Sequence, residues 1–147
     1  MHHTPHHKRI ASNWGLHDGP LGNNTVPGQA GLPDVYAAQL KIITQKLIAA
    51  QPQAKLLFAL TSPYMCAAQN DGCVVNLNNQ AAAIMAKYKI PTINLHDAVV
   101  EQCGPPPQKS CFNVTGCFCP HCSGGGGAGY HFLTDKVIVP AITRLLP

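Results

Sequence analysis

Ala54-Lys55-Leu56-Leu57-Phe58-Ala59-Leu60, followed at once by Thr61-Ser62-Pro63, is the stretch that decides the fold. Its apolar residues run on without the alternation of a half-exposed strand, so it reads as a parallel strand covered on both faces, ended by Thr61-Ser62-Pro63. Upstream, Pro33-Asp34 opens a helix in which Tyr36, Leu40, Ile43 and Leu47 recur at helical spacing. Downstream, Val75 to Tyr88 puts Leu77, Ala81, Ile84 and Tyr88 on one face of a second helix, and Pro91 to Leu95 is the next strand. The segment Ile10 to Trp14 reads as the end of a first strand, with Gly15 in the turn after it and a loop rich in Gly, Pro and Asn running on to Pro33. A last helix is expected from Leu133 to Leu146, with Ile138, Ala141, Ile142 and Leu145 inward and a kink at Pro140. Strands alternating with helices are the pattern of right-handed crossovers on a parallel sheet, and no internal repeat interrupts it.

The 147 residues suffice for one domain, and 46% apolar against 11% charged residues suits a packed core. The net charge of +4 is not organised as Lys and Arg interleaved with aromatic residues, so no nucleic-acid partner is expected. No apolar run approaches the roughly 18 residues that span a bilayer, so no membrane partner is expected either. Seven cysteines between Cys66 and Cys122, with glycosylation sequons at Asn23 and Asn113, predict an extracellular protein. The start, Met1-His2-His3-Thr4-Pro5-His6-His7, lacks the apolar core of an export signal. That combination is expected of a chain whose N-terminal part is missing, with residues 1–9 as a His-rich arm and 10–147 as a partial domain. The arm also reads as a metal-binding or tag-like tail.

Cys66 and Cys73 flank a loop holding Asn70-Asp71-Gly72, and a disulfide across it is the first expectation. Cys103 and Cys111 flank the stiff turn Gly104-Pro105-Pro106-Pro107 and form the second candidate pair. Cys117, Cys119 and Cys122 crowd together with His121, where disulfides are favoured over a zinc site because no second Cys-x-x-Cys pair exists. One cysteine is left over, and full connectivity cannot be read from spacing.

Ligands of an open parallel sheet bind outside the carboxyl ends of its strands. Two histidines belong at that edge: His17, in Asn13-Trp14-Gly15-Leu16-His17-Asp18 after the first strand, and His131, just before the last helix. Both also read as ordinary exposed loop residues.

The run at 13–18 resembles the third block of the SGNH (GDSL-type) hydrolases, in the Gly-Leu-His-Asp variant that some bacterial members carry. Gly129-Tyr130-His131-Phe132 resembles their last block, and Tyr36 with Leu40, the stretch 54–63, Asn78 with Ala82, Ile84 and Met85, and Ile90-Pro91 follow in family order between them. The resemblance covers about Ile10 to the C-terminus. It implies a three-layer α/β/α, flavodoxin-like parallel sheet, N-terminally truncated, and an esterase chemistry acting on carboxylic or carbohydrate acyl esters without a cofactor. It assigns His131 as catalytic base, with Asn13, Gly15, His17 and Asp18 in the oxyanion block and His17 as donor to the oxyanion.

The chain departs from the family in two places. Ala128 stands where an aspartate would orient the histidine, and no Gly-Asp-Ser occurs; Ser12, Ser62, Ser110 and Ser123 do not sit on such a turn. The implied protein is an incomplete or inactive esterase domain, or else a non-catalytic structural, self-assembling or binding protein on the same fold. Without the family's first strands the edge at Ile10 is expected to be open, which predicts a homo-oligomer, a covering arm or a missing N-terminal partner segment.

Overall fold

The central strand divides its apolar run between two cores. A computed structural model describes residues 8–14, 33–65, 68–108, 110–112, 114–115 and 127–144. Within it β1 (Arg9–Ser12), β2 (Lys55–Leu60) and β3 (Thr92–Asn94) form a parallel sheet in the order β1-β2-β3. Because side chains alternate across a strand, Leu57 and Ala59 of β2 enter one buried cluster while Phe58 and Leu60 enter the other. From Leu56 on, the strand is apolar because both faces of β2 are covered, as the sequence predicts.

Helices α1 (Pro33–Ala50) and α2 (Ala68–Lys87) cover the Phe58 face, where Tyr36, Leu40, Leu77, Ala81 and Met85 are buried. They connect β1 to β2 and β2 to β3, and two crossovers of one hand stepping the same way across a sheet must lie on one face. The Leu57 face is covered by α3 (Leu95–Cys103) and by the last helical segment, through Val99, Leu133 and Ala141. The architecture is therefore α/β, with helices on both faces of a small three-stranded parallel sheet.

Several elements differ from the sequence reading. On α1 it is Thr44, not Ile43, that continues the buried stripe of Tyr36 and Leu40; Ile43 is exposed. Thr44 lies four residues after Leu40 and satisfies its buried hydroxyl by donating to the Leu40 carbonyl at 2.7 Å. Helix α2 begins at Ala68 rather than Val75, because Asn70-Asp71-Gly72 is helical rather than a loop. Cys73 accordingly stands on the exposed side of a helix as a free thiol, which overturns the expected Cys66–Cys73 bridge. Cys66 itself lies outside the described residues.

Helix α3 follows β3 without a loop. Asn94 caps it, accepting from the Asp97 N–H at 3.0 Å. The Cys103–Cys111 disulfide forms, with Cα atoms 5.7 Å apart, and holds the end of α3 against a hairpin of β4 (Ser110–Cys111) and β5 (Val114–Thr115).

The last helical segment is one continuous run from Ala128 to Arg144 in three parts: α4 (Ala128–His131), a π-helical stretch Phe132–Ile138, and α5 (Val139–Arg144). It starts earlier than Leu133, and Pro140 explains its middle. Proline has no N–H, and its ring collides with the carbonyl one α-turn back. Widening the preceding turns moves that carbonyl aside, and the Val139 N–H reaches the Thr134 carbonyl, five residues back. Pro140 is thus accommodated by a change of helix type.

Candidate functional site at the carboxyl edge of the sheet

At the carboxyl end of β1, Asn13 donates from Nδ2 to the Ala59 carbonyl at 2.7 Å. Trp14 packs on Phe58 with ring centroids 6.1 Å apart, and its carbonyl accepts from the Tyr36 hydroxyl at 3.0 Å. These contacts tie the exit of β1 to β2 and α1. Gly15, His17 and Asp18 lie outside the described residues, as do Asn23, Asn113, Cys117, Cys119, His121 and Cys122, so the expected meeting of His17 with His131 is outside the description too.

At the carboxyl end of β2 the chain is held by a buried amide. Asn78 of α2 accepts from the Thr61 N–H at 2.8 Å and donates to the Thr61 carbonyl at 2.9 Å. Thr61 has left the sheet ladder, so its backbone groups need partners in a dry environment, and one side-chain amide supplies both. Ser62, next in sequence, is 2% exposed. Ser12 is half-buried at the end of β1, and Ser110 is exposed on the hairpin.

A cluster that the sequence reading missed lies between α2 and α3. His96 Nε2 is 3.0 Å from Asp71 Oδ2, and His96 Nδ1 is 3.1 Å from Asp97 Oδ1. Asp71 Oδ1 also accepts from the Tyr64 N–H at 2.8 Å, and Asp97 Oδ2 accepts from Asn94 Nδ2 at 2.7 Å. The arrangement superficially looks like an acid and base pair. Both ring nitrogens of His96, however, face carboxylates that only accept, so neither is directed at a nucleophile's hydroxyl or thiol. The cluster ties the first turns of α2 and α3 to the loop after β2. Asn94-x-x-Asp97 was the sequence signal, a helix-start pattern with His96 inside it.

His131 stands apart from that cluster. Its ring is 78% exposed, and Nδ1 lies 3.9 Å from Asp135 Oδ2, one helical turn onward. At that separation the two side chains are neighbours and not hydrogen-bonded. Further along the same segment, Ile142 lines a cavity with Arg9 and Lys55, the first residues of β1 and β2. Ala128 is the first residue of α4. Among the described residues no group of three or more His, Cys, Asp or Glu is arranged to hold a metal ion, and no helix is long and apolar enough to cross a membrane.

No family model matches this chain, and no curated protein matches it. A crystal structure is similar to it at 16% identity with a TM-score of 0.49, covering 88% of this chain. The chain spans 65% of that structure's length.

Proposed function

We propose that this chain is an SGNH-type, flavodoxin-like esterase domain in which His131 is the base, and that the 147-residue polypeptide turns esters over very slowly. The observation that carries the reading is the pairing of His131 with Asp135 on an exposed helical turn. Asp135 brings a carboxylate to the imidazole from the C-terminal side, where Ala128 cannot supply one from the family's orienting position. What the chain lacks is an activated serine: no Gly-Asp-Ser occurs in it. A base without a serine nucleophile activates water, and what is left of the rate comes from oxyanion stabilisation and binding. His17, at the oxyanion position of the resemblance, is the proposed donor. The Cys103–Cys111 disulfide is compatible with an extracellular location.

Hydrolysis of p-nitrophenyl acetate, alongside fluorophosphonate labelling, tests the reading. Slow turnover is expected, with no burst and no label, and it should be lost in both His131→Ala and His17→Ala. A serine that labels, and stops labelling in His131→Ala, would show a working nucleophile and overturn the slow-turnover reading.

A second reading is favoured by the sheet itself, in which β1 is an edge strand among the described residues. A non-catalytic, self-assembling protein on the esterase fold would use that edge and would show no His131-dependent hydrolysis.

A further inference from the structure

The opposite, amino edge of the sheet is basic. Arg9 and Lys55 begin β1 and β2, paired in register, Lys8 precedes them, and Lys87 and Lys89 lie just before β3. Among the described residues none of these cations pairs with a carboxylate; the ion pairs present all involve His96 or His131.

Two adjoining cavities open among these charges and share Lys55 and Leu56. The smaller, about 110 Å³, lies between Arg9 and Ile142. The larger, about 390 Å³, lies between the ends of α1 and α2, with Ile48, Pro52, Leu56 and Ile90 on its walls and Lys55 and Lys89 beside them. Its size falls in the range of small-ligand sites, which are mostly apolar with a few charged groups.

A further feature of the larger cavity is costly to the protein. Lys89 is held at φ 56°, the left-handed region that glycine adopts freely and lysine does not. A glycine would close α2 with less strain, yet a lysine is there.

We propose that this cavity binds a small amphiphilic anion, an aliphatic carboxylate, with its chain against Leu56 and Ile90 and its head at Lys55 and Lys89. The carboxylate oxygens accept from the two ammonium groups. Neither His131 nor the carboxyl edge takes part, so the site stands whether or not the chain turns over esters.

Calorimetric titration of the whole chain with octanoate, kept below its micelle concentration, tests this. One saturable site is expected, weakened roughly tenfold in Lys55→Gln and in Lys89→Gly. Octanol, which lacks the charge, should bind more weakly than octanoate. Lys89→Gly separates binding from folding, because removing the left-handed strain should raise the melting temperature while affinity falls. The proposal is overturned if octanoate shows no saturable binding at millimolar concentration. It is equally overturned if octanol binds as tightly, or if Lys89→Gly is more stable and binds octanoate as well as the parent chain.

Discussion

At the scale of single residues, buried polar groups decide more than their number suggests. Asn78 is 6% exposed and serves both the N–H and the carbonyl of Thr61. Replacing it with alanine leaves two backbone groups unpaired in a dry site, and Asn78→Ala should cost roughly 2–4 kcal/mol in urea unfolding. A loss below about 1 kcal/mol would mean that water reaches Thr61 once the amide is gone. The sequence marked Asn78 only through a family resemblance, since an asparagine on an apolar helix face carries no sign of which backbone it will meet. His96 was harder to see: its partner Asp71 comes from the segment read as a loop, and contacts between distant segments leave no trace in spacing. Cys73 went wrong for the same reason. The short stretch Asn70-Asp71-Gly72 has turn composition, but its packing context, with Val74 and Leu77 buried beyond it, made it helix.

Among elements, those with strong apolar patterns were legible and those with composite causes were not. Strand β2 could be read because a continuous apolar run of that length needs cover on both faces. Helix α3 was hidden because it follows β3 directly, with Asn94 as both the last strand residue and the cap. The last segment was readable as helix, and Pro140 was recognised as a disturbance, but sequence periodicity does not distinguish a kink from a change of helix type. That distinction can be measured. If Pro140 forces the wide turns at Phe132–Ile138, Pro140→Ala removes the clash and restores a donor. Stability should then rise by about 1 kcal/mol, the helical gain of alanine over proline being partly offset by the more flexible unfolded chain. A loss of stability would indicate instead that packing of Leu133 and Val137 sets the π-helical turns.

For the molecule as a whole, the sheet has two chemically different ends and, among the described residues, two edge strands, β1 and β3. Asp71 and Asp97 gather near the carboxyl ends of the strands, whereas Lys8, Arg9, Lys55, Lys87 and Lys89 gather near the amino ends. The ladder of β1 shows which of its backbone groups face away from β2. The Lys8 carbonyl accepts from the Lys55 N–H at 2.9 Å, and Arg9 is in register with Lys55. In a parallel pair this directs the backbone groups of Lys8, Ile10 and Ser12 toward β2, and those of Arg9 and Ala11 away from it. Ala11 is exposed as well, so its outward N–H and carbonyl are the natural handle for a second copy of the strand. Light scattering over a range of concentrations should therefore show self-association of the chain. Ala11→Pro deletes the outward N–H without touching a donor that β2 uses, and proline is tolerated on edge strands for that reason. The variant should keep its unfolding transition and shift toward monomer. Association unchanged in Ala11→Pro would place the contact elsewhere, and a parent chain that stays monomeric at every concentration would show that this edge recruits no second copy.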